Sequence, residues 1–174
     1  MGLNLLAWAA LGYFIGAIPA GLIVARLFDQ GSPRRRARVA QIARAIDVAK
    51  GAVIVWLAMQ FGWSAYAATA AGILAVVGQC WSFWTPKGGG SGLPTAVGAL
   101  AVATPLALLV GVLAWMLVFA VWRRPVIATL AAASVTPLAS ALLRYPPAAV
   151  LLALGVAVVV FARSASHGAD PRYL

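Results

Sequence analysis

Five stretches of this chain carry no charged residue at all: 1–25, 51–86, 88–122, 125–143 and 145–162. Each is long enough to lay one or more helices across a hydrocarbon core about 30 Å thick. The first polar interruption, "DQGSPRRRAR", has Gly31 and Pro33 to stop a helix and a row of arginines to hold one membrane face. The pattern therefore predicts a first helix over 3–27, a second over 38–59 that returns across the bilayer to "FGWS", and a third over 64–84 that comes back to "KGGGSG". Phe61, Trp63 and Tyr66 mark one interface, and Trp81, Phe83 and Trp84 mark the other.

The run 88–122 is too long for one ordinary span, and Thr104-Pro105 offers a place to divide it. Left whole, it would put Arg123, Arg124, Arg163 and Arg172 on the outer side. Broken at Pro105, it gathers all four on the inner side and leaves only Arg144 outside, as the positive-inside rule prefers. The reading is an all-α, polytopic membrane bundle of about seven segments, some of them short: 3–27, 38–59, 64–84, 94–104, 106–122, 125–143 and 147–162. The N-terminus is outside and the C-terminus inside. The whole of 1–174 forms one membrane domain, with no internal repeat.

Composition agrees with the pattern. Of 174 residues, 64% are hydrophobic and 9% charged, a balance that leaves too little polar surface to cover a soluble fold. The first basic residue is Arg26, so the basic start of a cleavable signal peptide is missing and the first segment reads as a retained span. The net charge of +10 is scattered between apolar runs rather than gathered on one soluble face. That pattern suits anionic lipid headgroups or phosphorylated substrates, not nucleic acid. A single cysteine, Cys80, excludes an intramolecular disulfide and a thiolate metal cluster.

This topology brings the polar segments 28–38, 85–94, 123–124 and 163–174 to one face, the cytoplasmic one. There a water-soluble and a lipid-soluble substrate can meet. In "KGGGSG" the missing side chains let backbone N–H groups turn toward an anion, with Lys87 beside them and a following helix adding its dipole. Gly89, Gly90 and Gly92 are expected in conformations that a Cβ would strain. The lysine precedes the glycines, so the stretch is not a P-loop, and the same residues equally suit a plain flexible turn. "PRRRAR" offers guanidiniums for phosphate, although such a run more often only anchors topology. Arg44, Asp47 and Lys50 recur every third residue and share one helix face. His167 is the only histidine, with Asp170 three residues on, and the chain has no Glu. This set excludes a His-rich metal site and a Ser-His-Asp hydrolase.

Together these stretches resemble the bacterial acyl-phosphate:glycerol-3-phosphate acyltransferases, an integral membrane family that forms lysophosphatidic acid. "YFIGAIPAGLIVARL" is similar to the family's opening Y-x-x-G-S-I-P-x-G, and "AIDVAKGA" matches its L-D-x-x-K-G-A through Asp47, Lys50 and Gly51. "GQCWSFWTPKGGGSGLPTAVG" lies without gaps on G-H-x-x-P-x-x-x-x-F-x-G-G-K-G-x-A-T-x-x-G, with Gly78, Gly89, Gly90, Gly92, Thr95 and Gly98 coinciding. "ASHGADPRYL" resembles the terminal H-x-x-N-x-x-R-L through His167 and Leu174. The departures are specific. The family histidine is Gln79, its proline Ser82, the lysine of its G-G-K-G is Ser91, and its terminal asparagine is Asp170. Of its long first loop only Gly31-Ser32 remains, in "GSPRRRAR".

The resemblance implies a multi-pass protein of the bacterial inner membrane, needing neither metal nor cofactor. It would move an acyl group from acyl phosphate to glycerol 3-phosphate among membrane lipids. On this reading Gly89, Gly90, Ser91, Gly92 and Thr95 hold phosphate, and Ser32, Arg34, Arg35 and Arg36 add contacts from the first loop. His167, Asp170 and Lys87 serve the chemistry, and Asp47 and Lys50 form a polar helix face. The alternative is a catalytically impaired paralogue that keeps the bundle and binds lipid or phosphate in a regulatory role. A small transporter with Asp47 and Lys50 in its pathway is a third reading.

Overall fold

The computed structural model describes residues 2–28, 33–62, 64–85 and 89–167. The described residues form eight helices: α1 Gly2–Ala17, α2 Ala20–Phe28, α3 Pro33–Phe61, α4 Ala65–Cys80, α5 Leu93–Ala103, α6 Pro105–Trp122, α7 Pro125–Leu142 and α8 Pro147–His167. No strand occurs among them. Four stretches are long and apolar enough to cross a membrane: Gly2–Arg26, Pro105–Trp122, Pro125–Leu142 and Pro147–Ser166.

Proline decides most of the boundaries. The division at Thr104-Pro105 is present: Thr104 leaves the helical region at φ −142°, and Pro105 opens α6 at its first turn, where a missing N–H costs nothing. Four boundaries differ from the sequence pattern, the last being α8, which continues to His167 rather than ending at 162. The segment 3–27 is two helices, not one, because Pro19 withholds the amide that would continue α1; Ala20 N–H turns back to the Ile18 carbonyl at 2.9 Å. The second helix starts at Pro33 rather than 38, so the arginine row lies on helix and Pro33 begins that helix. The third ends at Cys80 rather than 84, where Trp81 leaves helical geometry at φ −129°, ψ 67°.

Helix α4 is the hub, packed on α1, α3, α5 and α8. Its contact with α1 is backbone to backbone: a Cβ on Gly12 would lie 2.2 Å from the Ala71 carbonyl oxygen, and one on Gly16 would lie 2.0 Å from that of Ala75. Small residues one turn apart are what lets two membrane helices approach so closely. The core between α3, α4 and α8 is filled by Ile54, Val55, Ala58, Val76, Leu152 and Val156. Helix α6 packs mainly on α7, and its outward row Leu109, Leu113, Leu117 and Val121 is 58–69% exposed. An apolar row of that kind at four-residue spacing belongs against lipid. Sequence pattern and structure thus agree on an all-helical membrane protein.

Candidate functional site

Two interruptions of helix face each other at one end of the bundle. The first is the break between α1 and α2 at Ala17–Ala20, and the second is the non-helical backbone after α4, described at 81–85 and 89–92. A helix that stops leaves its last carbonyls without intrahelical donors, and in a membrane protein side chains must supply them. Lys50 of α3 donates from Nζ to the Ile18 carbonyl at 2.7 Å and reaches the Gly16 carbonyl at 3.5 Å. Ser82 donates from Oγ to the Ala17 carbonyl at 2.6 Å, and Tyr13 donates from its hydroxyl to the Trp81 carbonyl at 3.0 Å. The two interruptions are therefore tied to one another.

Asp47 sits one turn before Lys50 and pairs with it, Nζ to Oδ1 at 2.7 Å, with both side chains only 10–15% exposed. Arg44 does not join them; its Nε donates to the Ala40 carbonyl at 3.2 Å. The third residue of α5, Thr95, is fully buried. Its hydroxyl donates to the side-chain oxygen of Gln79 and lies 3.1 Å from the Asp47 carbonyl. This link requires α5 to lie hard against α3, as the two glycines at their crossing permit: a Cβ on Gly51 would lie 2.0 Å from the Thr95 carbonyl oxygen, and one on Gly98 would lie 1.9 Å from that of Val48.

The glycine turn closes the site. Gly90 donates its N–H to the Gln79 carbonyl at 2.8 Å. On the opposite side Arg163 of α8 donates from Nη2 to the Gly89 carbonyl at 2.8 Å and from Nε to the Gly90 carbonyl at 3.3 Å. Its guanidinium lies 5.8 Å from the centre of the Trp81 ring. Gly92 precedes α5 at φ +73°, where only glycine is unstrained, and a Cβ there would lie 2.4 Å from the Cys80 sulfur. At Gly89 a Cβ would lie 1.9 Å from the Cys80 carbonyl oxygen. Gly90 departs from the expectation of strain: its φ is not positive, and a Cβ would lie 3.2 Å from Gln79 Cγ, at the side of a flexible side chain.

Between the interruptions lies a cavity of about 280 Å³, lined by residues 16–22 and by Asp47, Gln79, Ser82, Thr85 and Gly90. Of the residues singled out from the sequence, Asp47 and Gly90 line it. Lys50 and Thr95 bond directly to its walls. Gly89 and Gly92 shape the turn, and Ser91 is exposed on it. Arg34, Arg35 and Arg36 are exposed near the start of α3. Eleven residues separate Arg36 from Asp47 on one continuous helix, so that cluster stands about 16 Å up the axis from the cavity. His167 ends α8 one turn beyond Arg163, and its side chain is outside the described atoms. Ser32, Lys87 and Asp170 lie outside the described residues. Among the described residues, no three of His, Cys, Asp and Glu come together.

Four participants were not singled out as site residues from sequence. Pro19 was legible as a proline inside an apolar run. In the sequence Gln79 and Ser82 stand out only as departures from a motif, and Arg163 only as a charge marking the inner face.

The family described as glycerol-3-phosphate acyltransferase matches residues 35–170. A glycerol-3-phosphate acyltransferase of Aromatoleum aromaticum is 32% identical over 91% of this chain and 89% of its own length. One from Wolinella succinogenes is also 32% identical, over 62% of each, so this chain spans under two thirds of that relative. Among solved structures, the crystal structure of PlsY, an integral membrane glycerol 3-phosphate acyltransferase, in its glycerol 3-phosphate form, superposes with a TM-score of 0.78. The match covers 94% of this chain and 89% of PlsY at 21% identity. Its lysophosphatidic acid form superposes at 0.79, covering 98% and 94%. At that identity the likeness establishes the fold.

Proposed function

Since this chain belongs to the glycerol-3-phosphate acyltransferase family, we propose that it transfers an acyl group from acyl phosphate to glycerol 3-phosphate in the cytoplasmic membrane of a bacterium. The observation that carries this reading is the cavity between the two helix interruptions, lined by Gly90 of the glycine turn and by Asp47, the partner of Lys50.

The membrane placement follows from helix lengths. With Phe61 at the outer interface, Asp47 lies 14 residues or about 21 Å inward along α3. That leaves the cavity floor about 9 Å inside a 30 Å hydrocarbon layer. Non-helical backbone is tolerated at that depth where it lines a cavity, as Ile18, Pro19, Ser82, Thr85 and Gly90 do. The proposed topology has seven membrane segments, α1 and α2 counting as one, with the N-terminus outside. The α3 start, the glycine turn, Arg123-Arg124 and the tail are cytoplasmic. A water-soluble phosphate ester enters from the cytosol, and an acyl chain stays in the lipid beside the mouth.

In the reaction, a hydroxyl oxygen of glycerol 3-phosphate bonds to the acyl carbonyl carbon, and the bond from that carbon to the phosphate oxygen breaks. Inorganic phosphate departs and 1-acylglycerol 3-phosphate remains. Both substrates are anions, so the protein's work is positioning and charge stabilisation. Amides of the turn and the positive end of α5 hold a phosphate. Lys50, paired with Asp47 and bonded to the Ile18 carbonyl, neutralises that carboxylate and holds the Pro19 break in place. His167, with Asp170 beyond it, is the proposed acceptor for the hydroxyl proton. Lys87, next to the turn, and Ser32 and Arg34–Arg36 of the first cytoplasmic segment are proposed to draw anions toward the mouth. Purified protein in lipid, supplied with acyl phosphate and glycerol 3-phosphate, should release lysophosphatidic acid and inorganic phosphate in equal amounts. No product above a protein-free control would overturn the assignment.

A further inference from the structure

We propose that Arg163 is the positioning residue of the phosphate turn, holding the glycine backbone with its amides toward the cavity and supplying the positive charge that Ser91 does not. The inference rests on the functional reading above, and it extends that reading to a residue on α8.

Three observations converge. In a trans peptide the N–H points opposite to the C=O of the same unit. Arg163 takes the carbonyls of both Gly89 and Gly90, so the N–H groups of Gly90 and Ser91 are turned away from it. The first of these already bonds the Gln79 carbonyl on the cavity side, and Gly90 and Gln79 both line the cavity. Without Arg163, two adjoining glycines would leave that segment free to rotate.

Second, the guanidinium keeps its charge for the turn. Asp47 is the carboxylate among the described residues, and it is paired with Lys50. Arg163 instead bonds to neutral carbonyls and lies over the face of Trp81, which shields one side from water. Polarising the Gly90 carbonyl makes the Ser91 amide of the same peptide unit a better donor to an anion, while the bond to the Gly89 carbonyl and that of the Gly90 amide to Gln79 fix the turn. Third, position 91 is an exposed serine, so the turn itself carries no cation among its described residues 89–92.

The test uses full-length protein in lipid. The variants are Arg163→Gln, which removes the charge and nearly keeps the size, and Arg163→Lys, which keeps the charge. Binding of glycerol 3-phosphate is titrated calorimetrically, with inorganic phosphate as a second ligand, and transfer is measured with each substrate varied in turn. Arg163→Gln should weaken binding at least about tenfold and raise KM by a similar factor, while kcat changes less than about threefold; Arg163→Lys should recover most of the loss. The substrate whose KM rises is the one whose phosphate the turn holds, and parallel weakening of inorganic phosphate binding places the effect on the phosphate group. Unchanged binding and unchanged KM in Arg163→Gln, or a fall in kcat with both KM values unchanged, would overturn the proposal. Wild-type protein that binds glycerol 3-phosphate through Arg163 yet transfers nothing would sink the acyltransferase reading and leave the assignment of Arg163 standing. Wild-type protein that binds neither ligand would overturn both.

Discussion

Gly92 and Gly90 stand two residues apart in one glycine-rich stretch, and the structure separates them sharply. Replacing Gly92 with alanine forces a Cβ into a left-handed backbone at φ +73° and places it 2.4 Å from the Cys80 sulfur and 3.1 Å from Val76 Cγ1. The backbone strain costs roughly 1–2 kcal/mol and the overlap about 1–3 kcal/mol, since Cys80 is buried at the end of α4 and has little room to move. The sum is about 2–5 kcal/mol. At about 2–4 °C per kcal/mol for a chain of this size, the apparent Tm should fall by roughly 4–20 °C. Gly90→Ala has no such backbone strain and meets only the Gln79 side chain, so it should cost under about 1 kcal/mol. Thermal unfolding in detergent, followed by tryptophan fluorescence, checks both. The cause is separable by a cycle: in a Cys80→Ala background the overlap with sulfur is gone, and the cost of Gly92→Ala should shrink toward the backbone part, about 1–2 kcal/mol, plus the lesser contact with Val76. Equal losses for the two glycine variants, or a Gly92→Ala loss untouched by Cys80→Ala, would refute this account of the turn.

Three further outcomes are expected. Lys50→Met should cost about 3–5 kcal/mol in thermal unfolding, because it leaves the Asp47 carboxylate and the Ile18 carbonyl buried without their donor; a change within error would mean that the break at Pro19 needs no support. Thr95→Val should cost about 1–3 kcal/mol by removing the hydroxyl between Gln79 and the Asp47 carbonyl, and Thr95→Ser should restore most of it. Arg123→Cys, read against the buried native Cys80, should react with an impermeant maleimide only from the cytoplasmic side. Labelling from the outside would remove the crossing assigned to α5.

The parts of the fold that could be read from sequence are those where two independent signals coincided. At Thr104-Pro105 the proline and the arrangement of Arg123, Arg124, Arg163 and Arg172 asked for the same break. Pro19 has no such support, because an intact first segment already satisfies the charge pattern. Residues 34–38 read as a loop by their charge, whereas arginine is a good helix former and Pro33 a good first residue. Within the site, glycine spacing and the Asp47–Lys50 interval were visible locally. The contacts of Arg163 with Gly89 and of Thr95 with Gln79 join residues 74 and 16 positions apart, through helix crossings that no local pattern encodes. The arginine row drew attention for its chemistry, but α3 continues unbroken past it and carries it some three turns from the cavity.

A structure of the protein with glycerol 3-phosphate bound would test the site most directly, since both the cavity and the arginine row are plausible anion sites by chemistry alone. The account predicts the phosphate in the cavity, its oxygens about 3 Å from amide nitrogens of the segment Ser91–Leu93, and the glycerol carbons toward Asp47 and the Ile18–Pro19 break. A phosphate seated on Arg34–Arg36, with the cavity between the two helix interruptions unchanged, would contradict it.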